Sequence, residues 1–135
     1  MTALSIGEVA DRAGVGVQTI RYYERRGLVS EPPRSSGGFR QFPERTVRRI
    51  RFIKRAQGLG FTLEEIEELL NLRADESASC SDVRSRAVAK LHEIDEKIDE
   101  LREMREALQE LVDACSGEGP VSECPCLEAL WPSDD

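Results

Sequence analysis

Apolar residues recur at helical spacing in five stretches of this 135-residue chain, separated by glycine, proline or short polar runs. The first face is Ile6, Val9, Ala10 and Ala13. Ser5 and Glu8 fit a capping box at its start, the serine accepting from the backbone while the carboxylate reaches back. Gly14-Val15-Gly16 breaks that helix. A second short helix is expected from about Val17 to Arg26, ending at Gly27. Two short helices around a Gly-containing turn form a helix-turn-helix signature, a pattern that any αα-hairpin can also produce.

Residues 28–42, LVSEPPRSSGGFRQF, are rich in turn formers. Ser36-Gly37-Gly38 between two short extended runs suggests a hairpin, or wing. Pro43 is expected to open a third helix, a position that tolerates a missing N–H. Its inner face would be Val47, Ile50, Ile53 and Ala56, and its outer face Arg45, Arg48, Arg49, Arg51, Lys54 and Arg55. Gly58 and Gly60 end it. Thr62 and Glu65 bracket a second capping box, followed by Ile66, Leu69, Leu70 and Leu72 turned inward.

After a polar loop, ADESAS, a helix is expected over residues 81–114, about 50 Å long at ~1.5 Å rise per residue. Ala87, Leu91, Ile94, Ile98, Leu101, Leu108 and Val112 alternate steps of four and three, with Arg105 in one apolar slot and Met104 beside it. Nearly four such heptads indicate a coiled-coil seam. The expected organisation is mainly all-α: a winged helix-turn-helix domain over 1–73, a linker over 74–80 and a dimerisation helix over 81–114. A metal-binding loop with a short terminal helix follows over 115–135.

Three of the four cysteines flank the long helix: Cys80 before it, Cys115 and Cys124 after it. Cys80 and Cys115 of one chain cannot meet across a straight helix. They can meet when two chains pair antiparallel, each helix start lying beside the partner's helix end. This geometry suggests a homodimer with two thiolate sites, each shared between chains. Gly117, Gly119 and Pro120 let the chain fold back to bring Cys124 toward Cys115. A buried hydrophobic role, common for single free cysteines, fits poorly with Ser79, Ser81 and Ser116 as neighbours. Soft thiolates select soft or borderline metals.

Net charge is −7, but it is split. Residues 1–60 hold twelve Arg/Lys against five Asp/Glu, and residues 61–135 hold seven against twenty-one. The front half suits a polyanion, and the back half is an acidic scaffold. Gln18, Thr19, Arg21 and Tyr22 lie near the start of the second helix, the end that a recognition helix presents to the major groove. Arginine suits guanine or phosphate, glutamine suits adenine, and a tyrosine hydroxyl suits phosphate. Tyr23 completes the candidate reading set, with Arg34 and Arg40 on the wing gripping the flanking backbone. No run approaches ~18 apolar residues, so no membrane helix is expected. The N-terminus lacks the basic and apolar regions of a secretion signal. A cytoplasmic protein with reduced cysteines is expected, and a disulfide framework is disfavoured. No nucleophile–base set or phosphate loop suggests an enzyme.

The segments IGEVADRAGVGVQTIRYYERRGL (6–28), GGFRQF (37–42) and VRRIRFIKRAQGLGFTLEEIEELL (47–70) resemble the MerR family of transcription regulators. The long helix and cysteine-bearing tail follow in that family's order. The resemblance implies a winged helix-turn-helix, an antiparallel dimerisation helix, palindromic double-stranded operator DNA and RNA polymerase as partners. Gly16 stands where a serine cap is common, and Phe39 and Phe42 stand where tyrosine is usual. The pattern Cys80, Cys115, Cys124 resembles the family's mercury sensors, where three such thiolates hold one Hg(II), and also its lead and cadmium sensors. Copper-type sensors lack the first thiolate. Zinc sensors use extra ligands including a loop histidine, whereas the only histidine here is His92, within the long helix. Redox sensors cluster four cysteines in one loop. Cys126, after Cys124-Pro125, is a candidate fourth thiolate, which would favour Cd(II) or Zn(II). Hg(II) is placed first as inducer, ahead of Pb(II), Cd(II) and Zn(II). The resemblance further implies repression without metal and activation with it, by distortion of promoter DNA. A cysteine-based metal-sequestering protein would explain the thiols but not the basic helix-turn-helix. A drug-sensing member would need a larger C-terminal domain than the twenty residues after 115.

Overall fold

Ser5 sits in extended conformation and accepts from the Glu8 N–H at 3.1 Å, while the Glu8 carboxylate accepts from the Ser5 N–H at 3.1 Å. This capping box starts α1 (Ile6–Ala13), the first helix of a computed structural model that describes residues 3–32 and 41–132. Gly14 closes α1 in the left-handed region, φ 71°, which glycine reaches without a Cβ penalty. Gly16 caps α2 (Val17–Arg25) without a side-chain hydrogen bond, and the chain leaves through Arg26 and a left-handed Gly27. The second capping box is also present. Thr62 accepts from Glu65 N–H at 3.2 Å and Glu65 from Thr62 N–H at 2.8 Å, starting α4 (Leu63–Ala74).

Pro43 does not open the third helix. It lies in a two-residue strand, β2 (Phe42–Pro43), paired antiparallel with β1 (Ala3–Leu4), Ala3 opposite Pro43 and Leu4 opposite Phe42. A fixed φ near −65° suits a strand edge as well as a helix start, and the missing N–H costs nothing at an edge. The helix, α3 (Arg45–Gly58), begins two residues later. The hairpin turn expected at Ser36-Gly37-Gly38 lies outside the described residues.

Two units are resolved, Met1–Arg84 and Ser85–Asp135. The first has a single core. Val9, Ala10 and Ala13 of α1, Ile20 and Tyr23 of α2, and Val47, Ile50, Ile53 and Ala56 of α3 meet Leu4, Leu28, Val29, Phe42, Ile66 and Leu70. Leu72, expected inward, is only half-buried. Three basic residues of α3 brace this unit rather than pointing free. Arg51 donates to the Arg12 carbonyl and Lys54 to the Gly14 carbonyl at 2.7 Å, satisfying acceptors at the end of α1. Arg49 donates to the Leu28 carbonyl at 2.5 Å. Cations suit a helix C-terminus, where carbonyls lack intrahelical partners.

The long helix is α5 (Cys80–Ala114), so Cys80 is its first residue rather than the last of the loop. In the second unit its apolar stripe stands in solvent: Leu91, Ile94, Ile98, Leu101, Met104, Leu108 and Val112 are all exposed. After α5 come a 3-10 turn (Val121–Glu123) and α6 (Pro125–Leu130). No helix among the described residues is long and apolar enough to cross a membrane.

Candidate metal centre and nucleic-acid interface

The exposed face of α2 is built by the core beneath it. Ile20 is fully buried and Tyr23 only 3% exposed, which turns Gln18, Arg21 and Tyr22 outward with Thr19 at the margin. Tyr22 accepts from Arg26 at 3.1 Å, and the Arg25 and Arg26 guanidinium groups each lie 5.9 Å from its ring centroid. Its hydroxyl and ring are thus set in a cationic surround. Tyr23 is placed differently. Its ring is in the core, its hydroxyl donates to Gln57 Oε1 at 2.7 Å, and burial pushes its phenol pKa up. Gln57, on α3, joins Gln18, Thr19, Tyr22, Tyr23 and Arg25 around a shallow depression. Its spacing on α3 distinguishes it from no other surface glutamine, so the residues alone give no signal for it. Arg34 and Arg40 lie outside the described residues. Phe42 is fully buried, so the ring at this position packs inward against the core.

The cysteine tail is organised by its glycines. Gly117 (φ 81°) and Gly119 (φ 96°) take left-handed conformations, and a cap hydrogen bond from Cys124 N–H to the Val121 carbonyl closes the 3-10 turn. The chain returns on itself, and the sulfurs of Cys115, Cys124 and Cys126 lie within 4.8 Å of one another, all half-buried. Two sulfurs on one metal with bonds of about 2.3 Å are separated by about 4 Å, so this spacing fits a common ion. The fold-back therefore gathers Cys126 as well as Cys124. Cys80, exposed at the other end of α5, is not one of the three, and His92 is an exposed residue of that helix.

The three thiols are not equivalent. Cys124 caps α6, and the backbone N–H groups of Leu127 and Cys126 hold its pKa below the usual thiol value. Burial, with Cys115 and Cys124 adjacent, pushes Cys126 up. Cys126 is also a donor, its Sγ 3.1 Å from the Leu111 carbonyl in the last turn of α5. Hydrogen-bond donors favour a thiolate while desolvation opposes it, which sets Cys124 and Cys126 apart.

Comparison with known proteins agrees with both halves. The family model described as MerR HTH family regulatory protein matches residues 4–72, and that described as MerR, DNA binding matches 47–111. The mercuric resistance operon regulatory protein of Bacillus cereus is 43% identical over 93% of this chain and 95% of its own. Among solved structures, the transcription regulator PbrR691 from Ralstonia metallidurans CH34, in complex with lead(II), superposes with a TM-score of 0.84. It is 37% identical over 95% of this chain and 99% of its own. The dual-function regulator MerR from Bacillus megaterium MB1, in complex with mercury(II), gives a TM-score of 0.73 at 40% identity, over 94% of this chain and 98% of its own. With the helix-turn-helix, the long helix and the cysteine tail all matched along nearly its whole length, the chain belongs to the MerR family of helix-turn-helix regulators.

Proposed function

We propose that the protein is a metal-responsive transcription regulator of a heavy-metal resistance operon, with Hg(II) as its inducer. The observation that carries this reading is the group of cysteine sulfurs within 4.8 Å at the end of α5. Its soft, half-buried donors suit a thiophilic cation and no hard one. The mercury-resistance and lead-binding relatives support the same chemistry. In this reading, Cys80 of one protomer joins Cys115 and Cys124 of its partner around the ion, in a homodimer formed along the exposed seam of α5. Gln18, Thr19, Arg21 and Tyr22 meet operator DNA, with Arg34 and Arg40 on the flanking backbone. Tyr23 sets the pose of α2 through Gln57. Without metal the dimer holds the promoter in a bent, inactive form. Closing the thiolate sites reorients the paired DNA-binding domains and untwists the DNA between them, so that RNA polymerase engages. The energy is that of DNA deformation, which ligand binding shifts between two forms. The thiols require a reducing compartment, as the cytoplasm provides.

Serine replacement of Cys80, Cys115 or Cys124, each alone, is expected to abolish metal-dependent transcription from a reporter while gel-shift binding to the operator persists. Loss of induction from Cys126→Ser alone, with the other three variants responsive, would overturn this ligand set. The same reporter exposed to Hg, Pb, Cd, Zn and Cu salts ranks the inducers, and a response to Pb(II), Cd(II) or Zn(II) in preference to Hg(II) would reassign the metal.

A further inference from the structure

Cys126 is the thiol that the shared site does not need, yet it is gathered as closely as the two that it does. Cys115, Cys124 and Cys126 belong to a single protomer and to the same unit, so their convergence depends on no partner. The loop that gathers them is fixed locally by left-handed Gly117 and Gly119 and by the Glu118 N–H on the Ser116 hydroxyl. Pro125, at the first position of α6, sets the short Cys-Pro-Cys link.

We propose that Cys126 gives each protomer's tail a complete three-thiolate site of its own, which captures a soft divalent cation before Cys80 of the partner joins. This rests on the reading of the tail as the inducer site and extends it to an order of assembly. Capture forms three metal–sulfur bonds as three thiol protons leave to solvent, and a divalent ion with three thiolates carries a net charge of −1. The Cys126 proton, shared in the free protein with the Leu111 carbonyl, is among those released. Three soft ligands already in place lower the ordering cost of binding. Cys80 of the partner then replaces Cys126: the Cys80–metal bond forms as the Cys126–metal bond breaks, and the Cys80 proton passes to the released Cys126 sulfur. The site thus keeps three thiolates and a net charge of −1 while the loaded tail is coupled to the rest of the dimer.

The competing explanation is that Cys126 is only a donor to Leu111 at the end of α5. A serine there keeps a donor and loses the soft ligand. The experiment uses the full-length protein under reducing conditions, titrated with Cd(II) against a competing chelator while the thiolate-to-metal charge-transfer absorption is followed. Cys80→Ser is expected to bind one Cd(II) per protomer with the absorption of three thiolates. Cys80→Ser/Cys126→Ser is expected to drop to the absorption of two and to bind at least about 100-fold more weakly, the upper end of what loss of an outer-shell partner costs. Far-UV circular dichroism and operator binding establish that each variant is folded, and Cys80→Ser/Cys126→Ala repeats the comparison without the hydroxyl. Equal binding by the Cys80→Ser protein with and without Cys126 would overturn the inference, as would a Cys80→Ser protein that holds no Cd(II). In either case the shared-site reading survives if Cys115→Ser and Cys124→Ser still abolish induction. If those two variants respond to metal normally, that reading fails as well.

Discussion

Ser5 and Glu8 show how much one pair of side chains can specify. The hydroxyl and the carboxylate each satisfy a backbone N–H that the first turn of α1 leaves without a partner. Ser5→Ala is expected to lower the unfolding free energy by about 1 kcal/mol in urea denaturation. Glu8 should behave differently with pH. The Ser5 backbone N–H, and then its hydroxyl, hold the Glu8 carboxyl below its ordinary value of 4.5. A carboxyl depressed in the folded state adds stability above its unfolded pKa and loses it as pH falls through the folded one. The deficit of Glu8→Ala at pH 7 should therefore shrink steadily below pH 4.5, and a constant deficit down to pH 2 would contradict this assignment. Both capping boxes are readable from the chain because their partners are three residues apart. Tyr23 is the opposite case. Its neighbours Gln18, Thr19, Arg21 and Tyr22 suggest a shared exposed face, but helical phase carries its ring into the core with Ile20, and its partner Gln57 is 34 residues away.

At the scale of elements, periodicity was a reliable guide wherever a helix packs one face inward, as α1, α3 and α4 do. It could not find β1, because two residues carry no period and their pairing with Phe42–Pro43 is a contact across nearly forty positions. The basic stripe of α3 illustrates a second limit. Arginine and lysine at helical spacing look alike whether they face a ligand or brace carbonyls, and Arg49, Arg51 and Lys54 brace them. For α5 the pattern and the structure meet in a stripe of side chains that the single chain leaves uncovered, Leu101 being 61% exposed. A coiled-coil seam explains that stripe, and it predicts the response to a buried charge. Leu101→Glu removes one leucine from each side of a symmetric pair, at about 1.5–3 kcal/mol apiece. The dimer dissociation constant should rise with that sum, by roughly 10²- to 10⁴-fold in sedimentation equilibrium. An unchanged self-association would place the interface elsewhere.

Across the whole molecule, the two halves differ in charge and in the chemistry they offer, a basic reader of net +7 before residue 61 and an acidic, thiol-bearing scaffold of net −14 after it. Neither half explains the other's residues, and a regulator requires that they share free energy. If binding at the cysteine tail changes which DNA form the protein favours, the operator must change affinity at the tail by the same factor, because coupling between two binding sites is reciprocal. Typical couplings of about 1–3 kcal/mol correspond to about 5- to 150-fold. The measurement is a pair of titrations at one salt concentration, since affinity for DNA falls steeply with salt. Metal affinity is measured with and without a saturating operator duplex, and operator affinity is measured with and without saturating metal. A distorted-DNA mechanism is favoured by equal factors that shrink together when the base pairs between the half-sites are replaced by a more easily deformed sequence at the same length, because the deformation being exchanged then costs less. Equal factors that ignore the sequence of those base pairs would put the coupling within the protein alone. Factors of one on both sides would leave the tail a metal store attached to a DNA-binding domain, with no communication between them.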